Sequence, residues 1–284
     1  MKIFSLGDRM KEFYEDRFRY YVPRRTYTII RIDGKAFHTY TKGLVSPFDA
    51  GLIADMNETT AYLCKNIQGA KFGYVQSDEI SILITDFEER DTQMWFDGNL
   101  QKMASVAASM ATAKFNQLRM IRYAKNNVDP MASLASSILD QTMSQAEIEK
   151  FKLAEFDARV FQIPQKSEVE NYFIFRQQDG TRNSIQSVAQ SLYSQSELNG
   201  KKEKDMQEMI FQKGINWNDY HFREKRGGII AKVPTMIEGR DGQVERLKWQ
   251  MIPTPIFTQE REFMDVMIPE FEIKSPKSEE VEVQ

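Results

Sequence analysis

Between Thr26 and Ile163 the sequence alternates in an order that few folds accommodate. Thr26 to Ile32, TYTIIRI, is β-branched and aromatic, reads as a buried strand, and runs straight into Asp33-Gly34. Ser46-Pro47-Phe48-Asp49 has the chemistry of a helix start, with Ser as N-cap, Pro in the first turn and Asp in the capping-box place. Leu52, Met56, Thr60, Leu63 and Ile67 follow at helical spacing. Lys71 to Gln76 and Glu79 to Thr85 read as two strands joined at Ser77-Asp78. A further helix is expected from Met94 to Leu118, burying Leu100, Met103, Val106, Ala107, Met110 and Leu118, and Phe156 to Ile163 alternates as a fourth strand. Strand, helix, hairpin, helix, strand is the βαββαβ order of the ferredoxin-like or polymerase-palm plan, an α+β (α/β sandwich) fold with two helices on one face of a four-stranded sheet.

The flanks are arranged around that core. Ser5 and Asp8 form a capping box for an N-terminal helix with Leu6, Met10, Phe13 and Tyr14 as its apolar stripe, ended by Pro23. Residues 1–165 are expected to be the palm-like catalytic core. Residues 166–273 are expected to be a helical RNA-handling region carrying a small β-pair, Gly228 to Val233 with Val244 to Met251. In that region Ser167 to Glu170 is a capping box, Gly180 is expected to break the helix, and a second helix runs from Asn183 to Ser194. The charged residues 274–284 are expected to be a disordered tail.

Composition removes several function classes. No apolar run approaches the roughly 18 residues of a membrane span, and charge enters the N-terminus too early for a secretory signal. The one cysteine, Cys64, excludes an intrachain disulfide and a Cys-rich zinc site and reads as a small core residue, two histidines argue against a His-based zinc site, and the cysteine usage makes a reducing cytoplasm the expected setting. A net charge of −3, from 38 basic and 41 acidic residues, is not the footprint of a chain that holds nucleic acid by bulk charge.

In a βαββαβ sheet strands one and three are neighbours, so Asp33 and Asp78 converge although they are 45 positions apart. Two carboxylates at adjoining strand ends can hold two Mg²⁺ ions about 3.5–4 Å apart for phosphoryl transfer, with phosphate and water oxygens completing the coordination. Gly34, with no side chain, lets its carbonyl approach a metal. Taken singly, Asp-Gly after a strand and Ser-Asp-Glu at a hairpin tip are ordinary turn chemistry.

Arg31-Ile32-Asp33-Gly34-Lys35-Ala36-Phe37-His38 and Tyr74-Val75-Gln76-Ser77-Asp78-Glu79, together with the helix MASVAASMATAKF, resemble the signatures of the tRNA-histidine guanylyltransferase family over roughly residues 1–235. The chain resembles the bacterial, archaeal and phage guanylyltransferase-like branch. That resemblance implies a polymerase-like palm that adds nucleotides to tRNA 5′ ends in the 3′→5′ direction, with two Mg²⁺ ions and GTP, ATP or other nucleoside triphosphates, in a homotetramer built as a dimer of dimers. It assigns Asp33, Asp78 and the Gly34 carbonyl to the metals, and gives Glu79 a supporting place beside Asp78 in the catalytic set. Lys35, Ala36, Phe37, His38 and Ser77 fall along the nucleotide, and Lys102 matches a triphosphate-contacting lysine. The chain departs from the eukaryotic pattern at Ser46, at Asn99, at Met206 and over Asp179 to Ile185, where the motif tied to tRNA-histidine is missing.

Basic clusters are the candidate RNA contacts: Arg24 with Arg25, Arg119 with Arg122, Arg176 with Arg182 and Asn183, and the run from His221 through Arg223 and Lys225 to Arg226. Other readings stand beside template-dependent tRNA 5′-end repair. One is a strict tRNA-histidine guanylyltransferase adding a single G at position −1. A second is a cyclase-like palm enzyme, and a third is a ferredoxin-like RNA-binding module without catalysis.

Overall fold

The computed structural model describes residues 5–89, 91–127, 151–239 and 242–271, so the expected tail at 274–284 lies outside the described residues. Six strands form one sheet in the order β4-β1-β3-β2-β5-β6, every neighbouring pair antiparallel. The first four are β1 (Tyr27–Gly34), β2 (Ala70–Gln76), β3 (Glu79–Ile84) and β4 (Phe156–Ile163). Their 4-1-3-2 arrangement is the βαββαβ order anticipated above. The expected β-pair, β5 (Gly228–Gly239) and β6 (Gly242–Ile252), joins the same sheet at the edge of β2.

Helices cover both faces, which explains why β1 is a continuous apolar run and not an alternating one. Ile30 and Ile32 face α3 (Ala50–Asn66) and α4 (Leu100–Asn127), where Met56, Leu63, Met103, Ala107, Ala111 and Phe115 are fully buried. The buried stripe of α4 is therefore Met103-Ala107-Ala111-Phe115 at spacings of four; Leu100, Val106, Met110 and Leu118 are only half-buried. Tyr27 and Ile29 face the opposite layer, built by α5 (Lys166–Leu192) with Phe257 and Met264. The far half of α5 joins a third cluster with Leu198, Ile210 and Trp217.

Several local expectations are corrected. α3 begins at Ala50 with Asp49 as its N-cap, the carboxylate accepting from Leu52 N at 2.7 Å, while Ser46-Pro47 is a cis peptide outside the helix. α5 starts from Gln165 without a side-chain cap and runs unbroken through Gly180 for 27 residues. A Cβ at Gly180 would stand 3.0 Å from Gln76 Oε1, so this glycine serves a close crossing of helix and strand and does not break the helix. At the N-terminus the Ser5–Asp8 capping box forms, but α1 (Leu6–Met10) passes through a π turn and a 3₁₀ turn that ends at Phe18, before Pro23. Its apolar residues Leu6, Met10, Phe13 and Tyr14 are exposed and meet no core. No helix among the described residues is long and apolar enough to cross a membrane.

Cys64 is buried where α3 rides over β2, and burial pushes its thiol up. At the same crossing a Cβ on Gly73 would lie 2.7 Å from Thr60 Cγ2 and 2.8 Å from Cys64 Sγ. Both atoms belong to side chains packed inside the core, so Gly73→Ala is expected to lower stability by about 1–3 kcal/mol, read as a shift in the urea midpoint at unchanged m-value.

Candidate active site

β1 leaves the sheet at Asp33-Gly34 beside the point where β3 enters it. Ile32 pairs with Ile80, which puts Asp33 across from Glu79 and next to the Ser77-Asp78 turn. The two aspartates are close enough to feel each other. The Asp78 carboxyl is pushed up to about 6, first by burial, with the charges of Asp33 and Glu79 adding and a hydrogen bond from the Ser77 hydroxyl at 2.9 Å opposing.

Both turns are held in unusual backbone conformations. Ala36 (φ 52°) and Ser77 (φ 46°) are non-glycine residues in the left-handed region. Such residues cost about 1–3 kcal/mol each and persist where surrounding structure over-determines them. The over-determining contact at the first turn is Phe37. Its ring folds back over Gly34, where a Cβ would stand 2.2 Å from it. It packs among Tyr40, Phe115 and Phe156 at centroid distances of 4.9, 5.7 and 5.2 Å. Phe37 is thus a core anchor that sets the loop and not an open surface for a base, and Gly34 is glycine because that ring needs its space. Lys35 is exposed and ion-paired with Glu155, and exposed His38 has Nε2 3.1 Å from Thr39 Oγ1.

Glu79 stands elsewhere than a free catalytic carboxylate would. It is 4% exposed, and both of its oxygens are occupied. Arg176 donates to them through Nε and Nη2 at 2.7 Å each, and Arg31 Nη2 lies 2.7 Å away. Arg176 continues to Asp179 at 2.8 Å, which receives Arg182 at 2.9 Å. Glu79 therefore ties α5 to the strand that carries Asp78, and its role is positioning.

Lys102 is not brought to the aspartates within this chain. α4 begins at the opposite end of the sheet, where Leu100 N donates to Tyr20 O at 2.9 Å. It reaches the aspartate end only near Thr112, whose hydroxyl accepts from Phe156 N at 3.2 Å. Ten residues of helix place Lys102 about 15 Å back along the axis, with Nζ 6.0 Å from the Phe96 ring.

The basic clusters proposed for RNA also divide. Arg176 and Arg223 are buried, at 4% and 5% exposure. Arg119 and Arg122 both bind buried Asp55. Arg24 contacts Thr92 O and Asp86, and Arg25 N donates to Asp86, at the far end of β1. Arg182 is exposed but paired with Asp179 and Glu203. Lys225 lies over Trp217, and Arg226 is half-buried. The run 221–226 is a capped helix, α8 (Phe222–Arg226), in which His221 is the N-cap. Two short helices, α6 (Gln195–Leu198) and α7 (Glu203–Gln212), precede it, and it packs against α5 and β2. Asn183 and Ser77 line a cavity of about 110 Å³ beside Asp78 together with Arg223. Arg223 donates through Nε to Asn57 at 2.8 Å and leaves Nη2 without a partner; burial pushes its guanidinium down to about 10. Sequence reasoning missed the Arg223–Asn57 contact because its two residues are 166 positions apart.

The donor set at the strand ends is two aspartates and a backbone carbonyl, all hard oxygens. It suits Mg²⁺, which favours few carboxylates and keeps positions for phosphate and water. Among the described residues no group of three or more His, Cys, Asp or Glu is arranged to hold a metal, so a site demanding three such side chains is not present there. The neighbouring cations are spent on other acids, Lys35 on Glu155 and Arg31 and Arg176 on Glu79, so that among the described residues no ion pair engages either aspartate.

Two outcomes follow for stability. Glu79→Gln removes the buried carboxylate that buried Arg176 and half-buried Arg31 share, and is expected to cost about 3–5 kcal/mol in denaturant unfolding. Asp78 has a folded value above its ordinary 3.8, so ionising it opposes folding above pH 6 and that penalty fades as pH falls toward 4. In chelator, Asp78→Asn is expected to be about 1–3 kcal/mol more stable than wild type at pH 7.5, with the difference closing by about pH 4.

The family model described as Thg1, tRNAHis guanylyltransferase, matches residues 7–164. The tRNA(His) guanylyltransferase of Debaryomyces hansenii is 25% identical over 220 residues, covering 73% of this chain and 74% of that protein. Among solved structures, a bacterial Thg1-like protein in complex with ATP is 42% identical with a TM-score of 0.76, covering 93% of this chain and 99% of the other. A bacterial Thg1-like protein in complex with GTP is 41% identical with a TM-score of 0.71, covering 93% and 98%. A palm sheet with paired aspartates at its adjoining strand ends, matched over more than half its length by one family, identifies the chain as a member of the tRNAHis guanylyltransferase family of nucleotidyltransferases.

Proposed function

We propose that this chain adds nucleotides to the 5′ end of tRNA in the 3′→5′ direction, choosing each by pairing with a template base, and so repairs 5′-truncated tRNA. The observation that carries the reading is the convergence of Asp33 and Asp78 at the ends of β1 and β3, in a chain similar to proteins solved with ATP and with GTP. Two Mg²⁺ ions bound by Asp33, Asp78 and the Gly34 carbonyl would supply charge neutralisation for the transferring phosphates. The protein's own part is placement. Glu79 and Arg176 hold the Asp78 strand, Phe37 holds the Gly34 turn, and Lys35, Ala36, His38 and Ser77 border the place of the nucleotide. A 5′-triphosphate end reacts directly, whereas a 5′-monophosphate end first needs activation by ATP or GTP.

Selectivity through pairing is favoured by the run Asp179 to Ile185, which lacks the eukaryotic motif tied to tRNA-histidine and here spends Asp179 and Arg182 on an ion-pair chain. A mispaired nucleotide would be displaced relative to the aspartates, and about 1 Å of displacement can cost on the order of 10²-fold in rate. The strict guanylyltransferase reading remains the alternative, supported by the names of the curated relatives. Assembly as a homotetramer in the cytoplasm belongs to the same proposal; exposed Leu6, Tyr14 and Phe18 supply an apolar face for such contacts.

With truncated tRNAs competing against intact tRNA-histidine, GTP is expected opposite C and UTP opposite A, on several tRNAs. Asp33→Ala and Asp78→Ala are each expected to reduce addition to background. Addition of guanosine alone, to tRNA-histidine alone and regardless of the opposing base, would establish the strict activity instead.

A further inference from the structure

A second cavity, of about 740 Å³, opens at the end of β2 remote from the aspartates. Three elements each bring a lysine to its face of the sheet, Lys65 from α3, Lys114 from α4 and Lys232 from β5, while Lys248 of β6 lines the rim but pairs with Val233 and so projects from the face opposite to Trp249 and Lys232. Among the described residues no carboxylate lines it. Lys35, Lys71 and Lys166 are each matched to an acid elsewhere, but no ion pair among the described residues engages any of these four. Two of the ammonium groups sit over aromatic faces, Lys114 at 5.7 Å from the Tyr62 centroid and Lys232 at 5.3 Å from Trp249, its cross-strand partner.

This is an unusual concentration of charge for a chain of net −3. Three like charges around one groove repel, and an incoming anion relieves that repulsion. Their spread over three elements matches an extended polyanion better than a single phosphate. The aromatic rings beside them are what a nucleic acid uses and an acidic protein surface does not, since sugars and bases can lie on ring faces while phosphates meet the lysines. The groove's end at Gly69-Ala70 lies one strand length from the aspartates, about 20 Å for the seven residues of β2, while Lys114, two residues beyond Thr112, stands on its side nearer to them. A tRNA whose 5′ end is at Asp33 and Asp78 reaches that far within its own acceptor arm.

We infer that this lysine groove binds the ribose-phosphate backbone of the tRNA away from its reacting end; the inference rests on the tRNA substrate proposed above. The test is tRNA binding by the full chain across a salt series, with wild type, the triple variant Lys65→Gln/Lys114→Gln/Lys232→Gln, and its charge-keeping counterpart with Arg at the same positions. The Gln variant is expected to bind about tenfold or more weakly. Its log–log salt slope is expected to be shallower by about 2–3, one unit or slightly less per lost phosphate contact. The Arg variant is expected to keep both affinity and slope, and all three proteins to bind ATP and GTP equally and melt alike. Unchanged tRNA affinity and slope in the Gln variant would overturn the groove alone. Loss of ATP or GTP binding in that variant would overturn it in favour of a nucleotide site. Failure of wild type to bind tRNA at all would instead overturn the substrate on which the inference rests.

Discussion

The pairing of β1 with β3 is the constraint from which the site descends. Antiparallel pairing brings the last residues of one strand against the first residues of the other. With Ile32 opposite Ile80, Asp33 and Asp78 cannot avoid each other. A slip of one residue would turn Ile30 and Ile32 from the α3–α4 layer to the α5 layer and carry Asp33 away from the turn. Because β1 is buried on both faces, that register is fixed by packing on each side, and the position of two carboxylates becomes a property of the core.

The second layer explains why the site end of the sheet can carry so much buried charge. Glu79, Arg31, Arg176 and Asp179 alternate in sign, and each acid meets a donor at hydrogen-bond distance. Ion pairs of this kind return little net stability after desolvation, but they fix geometry because any misplacement strands a charge. α5 is thereby registered against β3 one residue from Asp78. Gly180, further along the same helix, admits Gln76 at close range and registers it against β2 as well.

Much of this was legible in the residues. β4 has its expected bounds, the hairpin turn falls at Ser77-Asp78, and the strand order follows from the element order alone. Local signals failed where tertiary contacts outweighed them. Gly180 carries a helix-breaking signal in isolation, and only the nearby strand shows why a glycine is wanted inside a helix. Arg176 and Arg223 have the composition of exposed nucleic-acid contacts; their partners Glu79 and Asn57 are 97 and 166 positions away, a separation no local pattern encodes. Lys102 was misplaced for a different reason, because helix direction decides which end of α4 meets the aspartates and residue spacing does not show it. The basic groove at Lys65, Lys114 and Lys232 escaped because its members come one from each of three elements.

The left-handed residues at Ala36 and Ser77 bear on how such a protein tolerates engineering. Each turn stores conformational energy that glycine would release at no steric cost. Selection for heat resistance alone would therefore favour glycine at both places, and the gain would come from the two loops that aim the aspartates. Thermal hardiness and catalytic aim are set against one another at these positions, and a laboratory lineage rewarded only for the first would drift toward a sturdier palm with a slacker grip on its reacting phosphates.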